Sequence, residues 1–148
     1  MTDFPREEIE AAWRRRMALQ DADDWQAFGL TFTEDAVYVE HHEGTFEGRQ
    51  AILDWLVPVM KQCQGWTYPI QWHAIDANRV IHKWLNRLPG QRPDGSYYEF
   101  AGFTIMEYAG AGQFSFQEDI YNWEEALPVL EQWAGAAARQ ATREDGAA

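Results

Sequence analysis

Apolar residues recur at helical spacing in four segments of the chain, and this pattern predicts four helices. The clearest stripe lies within residues 49–63, where apolar side chains return every third or fourth position. A first helix is expected to start within residues 2–5, because their proline is tolerated in a first helical turn. Asp23 is expected to cap a short second helix. Asn122, followed three residues later by Glu125, forms a capping pattern that is typical of the start of a fourth helix.

Alternating apolar and polar residues predict five strands, four of them in the second half of the chain. The predicted strands span residues 36–41, 67–75, 79–88, 96–109 and 113–122. Turn-forming residues separate the last four strands, which are therefore expected to form an antiparallel meander. Gly44 and Gly48 indicate a loop before the third helix. This order predicts a single α+β domain over residues 1–139 and a disordered tail at 140–148.

Two of the predicted strands are expected to form the wall of a pocket, because residues two apart share one face of a strand. On the first strand, one face carries Tyr38, Glu40 and His42. On the second strand of the meander, the face interpreted as the inner one carries Val80, His82, Trp84 and Asn86. A carboxylate and imidazoles beside many aromatic residues favour a binding or catalytic pocket.

Aromatic residues make up 15% of the 148 residues, with eight Trp, eight Phe and six Tyr. Trp and Tyr combine a large apolar face with a polar tip, so a surplus of them can line a cavity. The same composition fits a Trp-rich core and dimer interface equally well.

Charge and cysteine content exclude several classes of function. The net charge of −12 at pH 7 disfavours nucleic-acid binding, which needs Lys and Arg to neutralise phosphates. The basic residues 14–16 are expected to form a solvated helix face. Cys63 is the single cysteine, so neither a disulfide framework nor a structural zinc cluster is expected. Without a long apolar run or a secretory pattern, the chain is expected to be cytoplasmic, with no membrane partner.

Three segments carry a resemblance to a known family. Residues 32–39 read FTEDAVYV, residues 46–52 read FEGRQAI, and residues 112–121 begin with Gly-Gln-Phe and contain Asp119. In this order of elements, they resemble the nuclear-transport-factor-2-like superfamily, and within it the SnoaL-like (polyketide cyclase-like) and ketosteroid-isomerase-like proteins. The resemblance covers about residues 5–134.

The resemblance implies a cone-shaped, strongly curved antiparallel sheet wrapped around the N-terminal helices, the cystatin-like α+β barrel. The wide end of the cone would hold an apolar cavity for a small hydrophobic ligand. Homodimers would form through the outer face of the sheet. The superfamily includes isomerases, cyclases, dehydratases, hydrolases and proteins without activity, so the fold alone does not identify a reaction.

The resemblance also implies catalytic residues. Glu40 stands where ketosteroid isomerases hold their general base, and Asp119 matches the acid that SnoaL-like cyclases use as general acid and base. Dehydratases of the superfamily combine histidine, aspartate and tyrosine, which His73 or His82 with Asp119 and Tyr38 would reproduce. The ligand-binding residues are expected to be Trp55, Trp72, Trp84, Asn86, Phe100 and Tyr121.

Two functions are compatible with these expectations. The first is a cofactor-independent isomerase, cyclase or dehydratase that acts by acid/base catalysis on a small hydrophobic, polyketide-like or aromatic molecule. The second is a non-catalytic binding or dimerisation module, which is favoured by Arg16 at the position of the isomerase tyrosine. Neither a cofactor nor a metal is expected. Epoxide hydrolysis is not expected either, because the predicted strands lack an Arg-x-Asp motif.

Overall fold

The computed structural model describes residues 3–147, which form four helices and six strands. The helices are α1 (Arg6–Asp21), α2 (Trp25–Leu30), α3 (Arg49–Lys61) and α4 (Trp123–Gly146). The strands are β1 (Phe32–Glu40), β2 (Gly44–Glu47), β3 (Ile70–Asp76), β4 (Arg79–Gln91), β5 (Tyr97–Gly110) and β6 (Gln113–Tyr121).

All six strands belong to one sheet in the order β2-β1-β6-β5-β4-β3. The predicted α+β class is confirmed, and the predicted meander is present as β3 to β6. The sheet is mixed rather than purely antiparallel, because β6 pairs in parallel with β1. The expected loop after β1 contains the short strand β2, which pairs with β1. Register shifts in four of the strand pairings mark bulges or irregularities, and bulges bend strands and help to curve a sheet.

The main core lies between α1, α2, α3 and one face of the sheet. Helical spacing along α1 buries Ile9, Trp13 and Met17 on one side, and these pack with Phe32 and Met106 of the sheet. A second, smaller cluster forms where α4 crosses β5. The space between the two clusters is where the candidate site lies.

The helix ends differ from the predictions in two places, at the cap of α2 and in the C-terminal segment. Asp24 caps α2 by accepting a hydrogen bond from the backbone N–H of Ala27 at 3.1 Å, whereas Asp23 lies just before the cap with a φ of 55°. Thr2, within the predicted start of α1, lies outside the described residues. The predicted tail at 140–148 is helical through Gly146, with Ala148 outside the described residues. Among the described helices, none is long and apolar enough to cross a membrane.

Candidate active site

A pocket of about 330 Å³ opens between α3, α4 and the inner face of the sheet. Ten aromatic side chains line it: Trp25, Phe28, Tyr38, Trp55, Trp66, Tyr68, Trp84, Phe100, Tyr121 and Trp123. Both candidate carboxylates, Glu40 and Asp119, also line it. Its volume of about 330 Å³ exceeds the roughly 300 Å³ that a small-molecule site requires.

Strand register places four polar residues in one line across the sheet. Glu40 of β1 pairs with Asp119 of β6, Asp119 pairs with Thr104 of β5, and Thr104 pairs with His82 of β4. We call these four residues the polar row. Because neighbouring strands lie about 4.8 Å apart, His82 and Asp119 are separated by roughly 10 Å along the row. Glu40 and Asp119 are direct neighbours rather than residues that face each other across the mouth of a cone.

Asp119 receives three hydrogen bonds from side chains. Tyr38 donates its hydroxyl to Oδ2 at 2.5 Å, while the Thr104 hydroxyl and the Gln117 amide donate to Oδ1 at 2.8 and 3.1 Å. The Tyr38 and Thr104 hydroxyls must be the donors in their bonds to Asp119, because each of them already accepts a hydrogen bond from a group that can only donate. The Trp84 indole N–H donates to Thr104 Oγ1 at 2.7 Å, and the Gln117 amide donates to the Tyr38 hydroxyl at 2.9 Å. Both hydroxyl hydrogens are therefore left to bind Asp119.

Two opposing effects act on the Asp119 carboxyl. Burial among aromatic rings disfavours its charged form and raises its pKa, although the hydrogen bonds from Tyr38, Thr104 and Gln117 lower it in part. The nearby Glu40 carboxylate adds to the rise. Burial, reinforced by Asp119, also raises the pKa of Tyr38, which keeps this hydroxyl protonated as a donor. A carboxyl with a raised pKa holds a proton more readily than an ordinary aspartate, which suits it to accept and return one.

Glu40 is buried, and both of its carboxylate oxygens are bound by the backbone. Oε1 accepts from the N–H of His42 at 3.2 Å, and Oε2 accepts from the N–H of Glu43 at 3.0 Å. These bonds fix the turn that follows β1. Burial raises the pKa of Tyr121, and its hydrogen bond to the Glu40 carboxylate and the negative charge of Glu40 add to the rise.

His82 is a neutral imidazole held by α1. The indole N–H of Trp13 donates to His82 Nδ1 at 3.0 Å, so the single ring hydrogen of the neutral form must lie on Nε2. His82 is only 2% exposed, and burial lowers its pKa to about 3, with Arg16 and His73 adding to the shift. His82 thus carries an N–H donor that stays uncharged at neutral pH, and the residue lines the pocket.

The structure places two candidate residues, Trp72 and His73, away from the pocket. Trp72 lies on the outer face of the sheet, 48% exposed, beside Phe103. A bulge after Ile70 shifts the register of β3, so that Trp72 pairs with Lys83. His73 pairs with His82 in the sheet, but α1 covers it: the His73 ring stacks on Trp13, and its Nε2 lies 2.9 Å from Glu10. His41 also turns outward, where Nε2 lies 2.6 Å from Glu118.

Arg16 is buried, which contradicts the prediction of a solvated basic face. Its guanidinium lies 4.2 to 4.8 Å from the ring centroids of Phe28, Phe32 and Phe114, and Nη1 contacts Met106 Sδ at 2.9 Å. The prediction holds for Arg14, which is exposed and forms an ion pair with Glu10. Burial lowers the pKa of Arg16 to about 9, so it remains charged at neutral pH.

Thr104 and Gly102 of β5 complete the pocket wall around Trp84. Thr104 shares the buried face of β5 with Gly102 and Phe100, because the even-numbered residues of this strand are buried. This alternation is the signal in the sequence that could have identified Thr104 as a pocket residue. Gly102 matters because a Cβ there would lie 2.2 Å from the Trp84 ring, so only glycine lets the indole reach Thr104. Within the described residues, no group of three or more His, Cys, Asp or Glu could hold a metal ion.

Comparisons with known proteins identify relatives of the whole fold. A family model for the SnoaL-like domain matches residues 13–115. An LEH-like epoxide hydrolase from M. tuberculosis superposes with a TM-score of 0.69 at 14% identity, covering 90% of this chain and 97% of that one. A candidate SnoaL-like polyketide cyclase from Shewanella denitrificans OS-217 gives 0.69 at 14% identity, covering 86% and 99%. An NTF2-like protein of unknown function from Burkholderia pseudomallei K96243 gives 0.68 at 11% identity, covering 82% and 96%. No curated protein matches the sequence.

Proposed function

Because the chain belongs to the SnoaL-like domain family, we propose that it is a cofactor-independent enzyme that moves a proton on a small hydrophobic molecule held in the pocket. The reaction class would be isomerisation, cyclisation or dehydration. The observation that carries the proposal is Asp119, a carboxyl with a raised pKa on which three hydrogen bonds converge inside an aromatic pocket. Structural carboxylates seldom combine these features with access to a cavity.

In the proposed mechanism, Asp119 and His82 act on the same substrate from two positions in the polar row. Asp119 takes a proton from a carbon beside a carbonyl group, and the electron pair of that C–H bond moves towards the carbonyl oxygen. The Nε2–H of His82 donates a hydrogen bond to the oxygen as its negative charge develops. Asp119 then returns the proton, either to carbon or to a leaving oxygen, and is regenerated.

The remaining candidates receive supporting roles. Tyr38 orients Asp119 through their short hydrogen bond, and Trp55, Trp84, Phe100 and Tyr121 form apolar walls. Asn86 also lines the pocket and offers a side-chain amide to a polar ligand group. Glu40 adds negative charge beside Asp119, which favours the protonated form of Asp119.

The test is hydrogen exchange in D₂O with a panel of enolisable aromatic ketones, followed by NMR. We expect the wild-type protein to accelerate exchange for at least one ketone, and Asp119→Asn to lose about 10² to 10⁴ of that rate while still binding the ketone. Glu118→Gln is the matched control, because Glu118 precedes Asp119 on β6 but pairs with His41 outside the pocket. Equal exchange rates in wild type and Asp119→Asn would refute the proposal.

A second candidate, a binding module without catalysis, is favoured by one observation. The Glu40 oxygens are already bound by backbone N–H groups, which is how a purely structural carboxylate is held. This function predicts ketone binding with no exchange in either protein, so the same experiment separates the two.

We also propose that the protein forms a homodimer through the outer face of the sheet. Trp72, Phe103 and Ile120 are 48%, 37% and 40% exposed there, and Phe103 pairs with Ile120. Exposed aromatic and aliphatic side chains on one sheet face are typical of an interface. Light scattering tests this: a dimeric mass should become monomeric in Phe103→Asp, and a monomeric wild-type mass would refute it.

A further inference from the structure

The pocket wall carries an unbalanced set of charges. Three acidic residues, Glu40, Glu43 and Asp119, line it, whereas none of its described lining residues is Lys or Arg. His42 and His82 line it too, and His82 is neutral. Behind the wall, the buried guanidinium of Arg16 acts on Tyr38 and Asp119 and offsets part of the negative charge at that end of the pocket. The whole chain carries a net charge of −12, which adds to a negative potential around the opening.

Four aromatic side chains of the pocket wall form one cluster, which reaches Glu40 through Tyr121. Ring contacts join Trp84, Phe100 and Tyr121 to one another, and Tyr121 also contacts Trp123. In these four pairs the ring centroids are 5.7 to 6.4 Å apart and the ring planes are inclined by 42° to 71°. Such spacings and angles are those of packed aromatic pairs, and the face of an aromatic ring attracts an ammonium group that lies over it. Tyr121 links this cluster to the Glu40 carboxylate.

The Glu40 carboxylate can also accept a further hydrogen bond. Backbone N–H groups bind each of its oxygens once, the Tyr121 hydroxyl supplies a third hydrogen bond, and a carboxylate offers about four acceptor sites in all. Glu40 is only 7% exposed, so its charge is screened less than that of a surface residue. A cation in the pocket would therefore gain both a charge-assisted hydrogen bond and contact with aromatic faces.

We propose that the ligand of this pocket is an aromatic molecule that carries a protonated amine, with the ammonium group held between Glu40 and the ring cluster of Trp84, Phe100, Tyr121 and Trp123. The inference rests on the proposed function only in taking the same pocket as the binding site. The ammonium group would lie near Asp119, but it takes no part in the proposed proton transfer.

Three naphthalene probes of the same shape test the charge preference: 2-naphthylmethylamine, 2-naphthylmethanol and 2-naphthoate, titrated against the protein by calorimetry at pH 7. We expect the amine to bind about tenfold more tightly than the alcohol, and the carboxylate to bind more weakly than the alcohol. The preference for the amine should decrease as salt is added.

Glu40→Gln should reduce the preference for the amine over the alcohol to about onefold. Glu47→Gln is the matched control, since Glu47 is exposed on β2, does not line the pocket, and carries the same charge. Equal binding of amine and alcohol by the wild type, tightest binding of the carboxylate, or an equal effect of both variants would overturn the inference. Failure of all three probes to bind would also overturn it. None of these results bears on the Asp119-dependent exchange that tests the proposed function.

Discussion

Replacing His82 with asparagine should remove much of the acid sensitivity of the fold. Asparagine places its Oδ1 near the position of His82 Nδ1, so the hydrogen bond from Trp13 has an acceptor in both proteins. Asparagine does not titrate, whereas the buried imidazole does. The variant is smaller and is expected to be less stable at every pH, so the informative quantity is how stability changes with pH.

The magnitude follows from the depressed pKa of His82. Burial lowers this pKa from 6.5 to about 3 in the folded protein. Between these two values the unfolded chain binds a proton at His82 and the folded chain does not, so the free energy of unfolding falls as the pH falls. From pH 7 to pH 4 this single group removes about 3 kcal/mol, at about 1.4 kcal/mol for each pH unit below 6.5.

Urea denaturation at pH 7, 6, 5 and 4 measures the effect, followed by tryptophan fluorescence. A loss of about 3 kcal/mol corresponds to a midpoint lower by roughly 1.5 M urea, for a slope of about 2 kcal/mol per M. We expect the wild-type midpoint to fall by this much more than the midpoint of His82→Asn. Subtracting the two curves cancels the titration of the acidic residues that both proteins share.

His42→Asn is the control, because it also removes one imidazole but from an exposed position, where the ring stacks on Trp123. Parallel curves for wild type and His82→Asn would refute the reasoning, because they would mean that His82 binds its proton equally well in the folded and unfolded chains.

Three further predictions concern the pocket and one helix end. Tyr38→Phe should destabilise the fold by about 1 to 3 kcal/mol in urea denaturation. It should also shift the acidic limb of the exchange rate to higher pH, because Asp119 loses the hydrogen bond that most lowers its pKa. Gly102→Ala should displace the Trp84 ring and cost about 1 to 3 kcal/mol, with weaker ketone binding by calorimetry; unchanged binding would contradict the packing described. Asp24→Ala should cost about 1 kcal/mol through loss of the cap on α2, and a cost below measurement error would show that α2 does not need it.

The element order was predictable because local patterns decide it. The apolar stripe of α3 and the alternation along β4 are visible in the sequence, and both elements formed where they were expected. The parallel pairing of β1 with β6 could not be inferred, because pairing between distant strands depends on tertiary packing rather than on local pattern.

The candidate site was predictable in part. Alternation correctly grouped His82, Trp84 and Asn86 on the pocket side of β4. The same rule puts Trp72 and His73 on opposite faces of β3, so an unbroken strand could not have given both to the pocket. The structure gives the pocket neither of them, because Trp72 faces outward and α1 covers His73.

Arg16 shows why burial of a charged residue is hard to predict. Its position in α1 next to two other arginines favours a solvated face, and no local pattern reveals otherwise. Three phenylalanines from α2, β1 and β6 surround it, so the site of the guanidinium exists only in the folded protein.

The position of β6 also affects how the chain can fold during synthesis. Tyr38 leaves the ribosome 81 positions before Asp119, and β6 inserts between β1 and β5 in the finished sheet. A nascent chain that ends before β6 therefore has two strands with unpaired backbone groups, which invite pairing with other chains. Contacts over such sequence distances also slow folding. The polar row therefore forms only after β6 has been synthesised and inserted, since half of the row is absent or unpaired until that strand is in place.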